Sequence, residues 1–403
     1  MLTKKEKAMD RTRMRHLGEH RSEIRELFEY GMKRKAEIGA DKVFDFSIGN
    51  PSIPAPATVT QALQELLAGD PLALHGYTSA AGDPMVRAAI AEDLNHRFNT
   101  AIGAEHLYLT CGAAASLTIA LSALVEEGQE VLISAPYFPE YPVFIETAGG
   151  VPVVIPGREP DFDLDVEALA AAITARTAAV LINSPNNPSG VVYSPDSIRR
   201  LADRLRRAQA EYGHPIYLIA DEPYRELVYD DVTVPFLPNY YENTVVCYSY
   251  SKSLSLPGER IGYLLVNPRC EDWSGVYAGL CGAGRALGFV CAPALFQRLL
   301  PRVTGQTADL SIYKSNRDRL CNALTGLGFT VVRPDGAFYL FVKSPIPDAR
   351  AFSEAAKKYE LLLVPSDSFG VPGYLRLSYC VSSQTIERAL PAFALLAKEF
   401  IHE

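Results

Sequence analysis

Short apolar runs alternate with helix-like stretches between about residues 105 and 255, and no other feature restricts the possible folds as strongly. Five apolar runs occur, at residues 107–109, 130–133, 179–182, 216–219 and 244–246. Helical patterns such as 115–126 and 196–212 separate them. Strand–helix alternation at this spacing predicts a mostly parallel sheet that helices cover on both faces. We therefore predict an α/β protein.

Polar, turn-forming residues follow each of these apolar runs. They are residues 110–112, 134–137, 183–188, 221–224 and 249–252. The carboxyl ends of parallel strands meet at one edge of a sheet, and α/β proteins bind their ligands at that edge. The sequence therefore predicts one functional site to which five strand ends contribute.

The pattern changes after about residue 290. The predicted elements there are a helix over 294–326, strands over 329–332 and 336–342, and a final helix over about 384–400. This arrangement is typical of a second, smaller α+β domain. The predicted division is an N-terminal arm with part of the small domain over 1–48, a large domain over 49–290 and a small C-terminal domain over 291–403.

The N-terminal segment is basic, with 11 Lys and Arg against 6 Asp and Glu in residues 1–36. Such a charge can attract nucleic acid or an anionic membrane. However, Ile24, Leu27, Phe28 and Met32 fall on one helical face, which favours an amphipathic arm packed on the body or on a partner subunit. No stretch is apolar enough for a secretory signal or a membrane span. We expect neither nucleic acid nor membrane as a partner.

The seven cysteines are scattered, odd in number and without a C-x-x-C pair. This usage favours free thiols in a reducing compartment, so we expect a cytoplasmic protein. It also argues against a structural zinc site, and no metal is predicted.

Lys252 follows the last apolar run, in the segment 249–260. A free lysine amine is protonated at neutral pH, because its pKa is about 10.4. It becomes a nucleophile only when it is desolvated or lies near other cations. Arg260, eight residues later, is such a cation and can also hold a phosphate. A lysine, hydroxyls and an arginine in this arrangement indicate an aldehyde cofactor that carries a phosphate, which describes pyridoxal 5'-phosphate (PLP).

Polar residues at two other strand ends suit the same ligand. A carboxylate at Asp221 can pair with a protonated pyridine nitrogen, although an aspartate at a strand end is often a helix cap. Tyr224, three residues later, can reach the ring oxygen. Asn187 lies in the turn-rich stretch 183–190, which is either a tight loop or a source of an amide for the cofactor oxygen and the substrate carboxylate.

Two further segments suggest anion binding. Residues 112–117 follow a strand and open a helix, where small residues let backbone amides approach a phosphate. The alternative is simple helix packing, and the segment is not a nucleotide-binding motif. Arg376 lies on the polar face of the strand-like stretch 373–379, where a guanidinium can bind a carboxylate or remain solvated.

Taken together, these residues resemble the fold type I PLP-dependent enzymes, and within them the class I and II aminotransferases of the aspartate aminotransferase superfamily. The resemblance extends over nearly the whole chain, from residues 47–51 to Arg376, and the motifs occur in the family's order. It implies a large domain with a mostly parallel sheet and a smaller α+β domain. It also implies PLP-dependent, ping-pong transfer of an amino group between an L-amino acid and a 2-oxo acid.

The resemblance assigns the cofactor site residue by residue. Lys252 resembles the lysine that bonds covalently to PLP and then carries the proton between substrate and cofactor. Asp221 resembles the partner of the pyridine nitrogen, and Tyr224 resembles the donor to the ring hydroxyl. The remaining implied contacts are Asn187, Ser249, Arg260, the backbone amides of Ala113 and Ala114, and the stacking ring of Phe138.

Substrate and subunit contacts are implied in the same way. Gly49 and Arg376, together with Asn187, resemble the site for the substrate α-carboxylate. Tyr77 resembles a phosphate-binding tyrosine that the other subunit supplies, which implies a homodimer. Arg285 lies near the position of a second arginine in dicarboxylate-specific relatives, so aspartate-type specificity is one expectation. The alternative is an arginine on a helix surface.

The chain departs from the family pattern at three positions. Ala114 stands where relatives often have a side-chain donor, so the backbone and Arg260 would hold more of the phosphate. Ser366 stands where glycine is usual, and Ser52 replaces a common acidic residue after 50–51. These departures bear on the subgroup of the family and on the identity of the substrate, but not on the identity of the cofactor.

Two other functions are compatible with parts of the pattern. A PLP-dependent carbon–sulfur β-lyase shares the cofactor site and is the main alternative. A transcription regulator with an aminotransferase-like domain is a distant one, because it needs a DNA-binding domain ahead of the fold. Only about 45 residues with one amphipathic helix precede Gly49, so we do not expect a regulator.

Overall fold

The computed structural model describes residues 13–19 and 22–401, and a seven-stranded sheet lies at its centre. The described strands are β1 (Phe44–Asp45), β2 (Leu107–Thr110), β3 (Glu130–Ser134), β4 (Val151–Ile155), β5 (Thr177–Asn183), β6 (Tyr217–Asp221), β7 (Thr244–Ser249), β8 (Gly262–Val266), β9 (Val331–Val332), β10 (Tyr339–Lys343), β11 (Leu361–Leu362), β12 (Val364–Pro365) and β13 (Tyr374–Ser378). The sheet order is β2-β8-β7-β6-β5-β3-β4, and only β8 pairs antiparallel with its neighbours. The predicted mostly parallel α/β sheet is therefore confirmed.

Helices cover both faces of this sheet. Besides the helical residues 13–19, the α-helices are α1 (Glu23–Ile38), α2 (Ala57–Leu67), α3 (Pro71–His75), α4 (Pro84–Phe98), α5 (Ala113–Leu124), α6 (Tyr141–Thr147), α7 (Val166–Ala172), α8 (Pro195–Tyr212), α9 (Tyr250–Ser253), α10 (Trp273–Ala286), α11 (Ala294–Val303), α12 (Ser311–Gly326), α13 (Ala349–Ala356) and α14 (Ser383–Phe400). Successive strand residues point to opposite faces. Leu218 and Ala220 accordingly join one buried core, which includes α4 and α8, while Ile219 joins the other.

The sequence analysis did not predict two strands of the large sheet, β4 and β8. β4 contains Pro152, which removes a backbone donor, and it lies at the edge of the sheet where that loss is tolerated. β8 follows Lys252 after a short loop and runs back antiparallel between β7 and β2. β7 and β2, the two neighbours of β8, are far apart in the sequence. Strand–helix alternation gives no signal for a strand between such neighbours, so periodicity alone does not predict the position of β8.

The C-terminal elements form the predicted smaller α+β unit. Its antiparallel sheet has the order β12-β13-β10-β9, and helices α12, α13 and α14 pack a separate core against it. The single helix expected over 294–326 is wrong, because α11 ends at Val303 and α12 begins at Ser311. Gly305 interrupts the helical pattern with a φ of 76°, in the left-handed region that glycine tolerates best. The expected boundaries at 48/49 and 290/291 remain a prediction.

The N-terminal segment packs on this smaller unit. β1 pairs in parallel with β11, and Leu27 of α1 is buried against Leu362 and Phe369. The expected apolar face is only partly right, since Met32 is 55% exposed. Residues 1–12 and 20–21 of the predicted arm lie outside the described residues.

One edge of the large sheet collects the polar strand ends. The carboxyl ends of β2, β3, β5, β6 and β7 all face this edge, because these strands are mutually parallel. α5 begins there directly after β2, and α9 begins there directly after β7. Within residues 13–19 and 22–401, none of the helices combines the length and apolar character needed to cross a bilayer.

Candidate active site

A cavity of about 300 Å³ lies at this edge, between the large sheet and the smaller unit. Eleven of the thirteen predicted site residues line it. They are Gly49, Ala113, Ala114, Phe138, Asn187, Asp221, Tyr224, Ser249, Lys252, Arg260 and Arg376. Tyr77 and Arg285 do not line it; both are exposed, Tyr77 to 95%.

Lys252 projects into the cavity from α9, the short helix that follows β7. Its Nζ donates a hydrogen bond of 2.8 Å to the carbonyl oxygen of Gly49 and lies 5.4 Å from the centre of the Phe338 ring. Burial lowers the pKa of Lys252 to about 8, against a smaller opposing effect of Cys380. At neutral to slightly alkaline pH a useful fraction of this amine is therefore unprotonated and nucleophilic.

Asp221 ends β6 and is buried at the far wall of the cavity. Its Oδ2 accepts a hydrogen bond of 2.6 Å from the Tyr141 hydroxyl, whereas its Oδ1 is buried and has no hydrogen-bond partner among the described residues. Desolvation raises the pKa of Asp221 to about 7; the Tyr141 hydrogen bond opposes this shift and the charge of Glu222 adds to it. A buried oxygen without a partner is costly, so Oδ1 offers an acceptor to a donor on a bound ligand.

The residues around Gly112 and Arg260 form a cradle for an anion in the same cavity. Gly112 has a φ of 86° immediately before α5, and a Cβ there would lie 2.6 Å from Nη2 of Arg260. Arg260 also has a positive φ, 52°, and its Nη1 donates to the Ser251 hydroxyl at 3.2 Å. The Ser249 hydroxyl lies 2.8 Å from that of Ser251. Free amides at the start of α5, two hydroxyls and a guanidinium together suit a phosphate.

Arg376 is a buried cation on β13. Its Nη1 donates to Oδ1 of Asn187 at 3.3 Å and its Nη2 donates to the carbonyl oxygen of Ser47, while its Nε has no partner among the described residues. Desolvation lowers the pKa of Arg376. No carboxylate of the described residues pairs with it, so an incoming carboxylate would supply the missing charge and acceptors.

Three residues that sequence reasoning missed connect these groups. Asn183 donates from Nδ2 to the backbone oxygen of Asp221 at 2.8 Å, and its Oδ1 accepts from the backbone amide of Asn187 at 2.7 Å. Tyr339 places its hydroxyl 3.0 Å from that of Tyr224, and Tyr141 holds Asp221. Asn183 had a signal, since it ends an apolar strand, but the two tyrosines lie in runs where they read as core residues.

Two of the departures from the family pattern have a structural explanation. Ser366 has a φ of −93°, which any residue adopts, so glycine is not required. Its hydroxyl donates to the carbonyl oxygen of Val371 and accepts from the backbone amide of Tyr374 at 2.9 Å. The backbone amide of Ser52 donates to the Tyr313 hydroxyl at 2.9 Å, and nothing in the structure uses an acidic side chain there. Ala114 is exposed at the start of α5 and offers only its backbone.

The described residues contain no group of three or more His, Cys, Asp or Glu side chains suited to a metal ion. The polar groups that line the cavity include an amine, a carboxylate, amides, hydroxyls and guanidinium groups.

Known proteins resemble this chain over most of its length. The sequence model for the family described as "Aminotransferase class I and II" matches residues 41–393. The probable aspartate/prephenate aminotransferase of Aquifex aeolicus is 31% identical over 367 residues, which cover 85% of this chain and 88% of that protein.

Two solved structures extend the likeness to the fold. The crystal structure of an aminotransferase from Eubacterium rectale is 53% identical with a TM-score of 0.95, covering 97% of this chain and 98% of the other. The aspartate aminotransferase of Thermus thermophilus, solved with maleate, is 28% identical with a TM-score of 0.82, covering 94% and 97%.

Proposed function

The chain belongs to the class I and II aminotransferase family, and from that membership we propose that it binds PLP at the cavity that Lys252 and Asp221 line. One observation supports this most strongly. Three groups line the same cavity: the Lys252 amine, whose pKa is lowered, the Asp221 carboxylate and the buried Arg376 guanidinium. Among the described residues, Oδ1 of Asp221 has no hydrogen-bond partner and Arg376 pairs with no carboxylate. In our proposal the enzyme moves an amino group between an L-amino acid and a 2-oxo acid.

The residues present fit this cofactor. Oδ1 of Asp221 offers an acceptor for a protonated ring nitrogen, and the cradle of Gly112, Ser249, Ser251 and Arg260 offers donors for a phosphate. Phe138 also lines the cavity and can cover a planar ring. When bound, PLP supplies an aldehyde for amines and a ring that withdraws electrons from the substrate carbon.

The protein's own groups then have separate tasks. The unprotonated Lys252 amine would be the base that takes the proton from the substrate Cα and delivers it to the cofactor carbon that carries the nitrogen. Asp221 keeps its ring partner protonated, because an ionised carboxylate favours a nearby positive charge. Tyr224 and Asn187 line the same cavity and would both serve as partners of the ring oxygen. Arg376 holds the substrate carboxylate, which fixes the orientation of the Cα–H bond.

The reaction needs two amino acid and 2-oxo acid pairs, which occupy the same cavity in turn. Two of the relatives are named as a probable aspartate/prephenate aminotransferase and an aspartate aminotransferase, so we propose a dicarboxylate as one substrate. Arg285 is our candidate for its distal carboxylate, although within one chain this residue lies on the exposed last turn of α10. Comparing aspartate with alanine as donors, in wild type and Arg285→Ala, tests this assignment. An unchanged preference for aspartate would exclude Arg285.

We also propose a homodimer in the cytoplasm. Tyr77 is exposed within a single chain, as expected of a residue that completes the phosphate site of a second copy. The seven cysteines are free, in keeping with a reducing compartment. Sedimentation measurements, with Tyr77→Phe assayed for PLP affinity, test the dimer and its shared site together. A monomeric active enzyme would contradict both.

The test of the proposed activity is a donor screen on the purified protein with PLP added. We expect visible absorbance from bound cofactor, and amino acid-dependent conversion of an added 2-oxo acid. Lys252→Ala should lose both, whereas Lys343→Ala, which removes an exposed lysine of β10, should lose neither. A protein that stays colourless would contradict the proposal, as would release of pyruvate and ammonia from cystathionine without a 2-oxo acid.

A further inference from the structure

Tyr141 is buried at the start of α6 and touches two predicted cofactor contacts. Its hydroxyl donates to Oδ2 of Asp221 at 2.6 Å. Its ring meets the ring of Phe138 edge-on, with centres 5.7 Å apart and planes at 80°. Tyr141 does not line the cavity itself, so it acts on a bound ligand only through these neighbours.

The importance of the Tyr141 hydroxyl depends on which other groups surround Asp221. The titratable groups that face Asp221 are Glu222 next to it in the chain, Tyr224 in the following loop, Cys247 on β7 and Tyr141 on α6. None of them is a cation. The nearby guanidinium of Arg225 pairs with Glu222 instead. Among the described residues, Tyr141 is therefore the one side chain that donates a hydrogen bond to the buried carboxylate.

The hydrogen bond also selects an orientation. A carboxylate has two equivalent oxygens, and a donor fixed in the core distinguishes them. Because Tyr141 engages Oδ2, the rotation of the carboxylate is restricted and Oδ1 remains free. The backbone of Asp221 is held as well, since its carbonyl oxygen accepts from Nδ2 of Asn183. A hydrogen-bond donor on a bound ligand would therefore find Oδ1 of Asp221 already held in position.

We propose that Tyr141 is a positioning residue, which orients Asp221 so that Oδ1 faces the ring nitrogen of PLP and which keeps this carboxylate ionised. The inference rests on the proposed function, because it assumes that PLP occupies the cavity. The hydroxyl favours the ionised form, since a hydrogen bond to a carboxylate lowers its pKa. The same residue packs edge-on against the Phe138 ring, so Tyr141 contacts two of the predicted cofactor contacts.

The test is Tyr141→Phe, which removes the hydroxyl and keeps the ring. PLP is titrated into the full-length protein, and its dissociation constant is measured by absorbance as a function of pH. We expect PLP to bind about tenfold more weakly at neutral pH, the effect of one hydrogen bond to a charged group. Because the pKa of Asp221 then rises, the loss of affinity on acidification should begin about one pH unit higher.

Two comparisons separate positioning from folding. Tyr137→Phe removes a neighbouring hydroxyl that does not contact Asp221, and we expect it to leave PLP affinity unchanged. In an Asp221→Asn protein, Tyr141→Phe should cause no further change in the pH dependence, because no carboxylate remains to be ionised. Thermal unfolding of each variant reports whether the fold is intact.

The outcomes are distinct. If wild type binds PLP and Tyr141→Phe has the same affinity and pH dependence, the inference is wrong while the proposed function stands. An equal loss of affinity in both the wild-type and Asp221→Asn backgrounds would also overturn it, because the tyrosine would then act through packing. If wild type itself binds no PLP at any pH, the proposed function fails first.

Discussion

The side-chain amine of Lys252 lies 2.8 Å from the carbonyl oxygen of Gly49 and donates a hydrogen bond to it. This contact joins the end of β7 in the large sheet to the segment that follows β1. The same segment contains Ser47, whose carbonyl oxygen accepts from Arg376. One short stretch of backbone therefore touches both the predicted nucleophile and the predicted carboxylate site.

Gly49→Ala should inactivate the enzyme without unfolding it. A Cβ at this position would overlap the hydroxyl of Tyr339, which is hydrogen-bonded to Tyr224. The backbone must then shift, and misplacement by about 1 Å can cost on the order of a hundredfold in rate. Steady-state kinetics measure the effect. Gly282→Ala is the matched control, since a Cβ there meets nothing within 4 Å, and a similar loss in both variants would contradict this account.

Asp221→Asn should stabilise the cofactor-free protein in a pH-dependent way. The folded-state pKa is about 7, above the usual 3.8, so the native carboxyl retains its proton after the unfolded chain has released it. Wild-type stability therefore falls as pH rises from about 4 to 7. Asparagine removes this cost, which is on the order of 4 kcal/mol above pH 7 for a shift from 3.8 to about 7.

Chemical denaturation of both proteins at several pH values checks this expectation. We expect the advantage of Asp221→Asn to be small near pH 4 and largest above pH 7, while its PLP affinity is lower throughout. A stability difference that does not change with pH would show that Asp221 is ionised over the whole range.

Arg376→Lys should weaken substrate binding and leave PLP binding intact. A lysine keeps the positive charge but cannot form the paired hydrogen bonds that a guanidinium makes with a carboxylate. We expect kcat/KM for amino donors to fall by about a hundredfold, which corresponds to roughly 3 kcal/mol. Arg388→Lys, on the exposed face of α14, is the control. Equal losses in the two variants would count against the role of Arg376.

Ser366→Gly tests a departure from the family pattern. The serine hydroxyl makes two buried hydrogen bonds, and glycine would lose both and gain freedom in the unfolded chain. We expect the free energy of unfolding to fall by about 1–3 kcal/mol, with KM for the donor unchanged. Urea unfolding together with steady-state kinetics measures both quantities. A stable variant with altered KM would place Ser366 in the substrate site instead.

Local sequence signals predicted the polar site residues that lie at or just after the carboxyl ends of parallel strands. Asp221 ends β6, Lys252 and Asn187 lie within four residues after β7 and β5, and parallel strands bring their carboxyl ends to one edge. The resemblance to a known family added Phe138 and Gly49, which alone carry no chemical signal. The fold class followed from strand–helix alternation in the same way.

Long-range contacts were not predictable from these patterns. Tyr141 and Tyr339 lie in apolar surroundings, and only the tertiary structure brings their hydroxyls to Asp221 and Tyr224. The antiparallel insertion of β8 depends on pairing with β2, about 150 residues earlier in the chain. The break between α11 and α12 was missed because both flanking stretches have helical periodicity.

The most direct test of the central claim is to identify the lysine that bonds to PLP. The holoenzyme is treated with borohydride, which fixes an imine irreversibly, and the digested protein is analysed by mass spectrometry. The account predicts a phosphopyridoxyl group on Lys252 alone, and none there once an amino donor has passed its nitrogen to the cofactor. Modification of other lysines, with Lys252 unmodified, would contradict it.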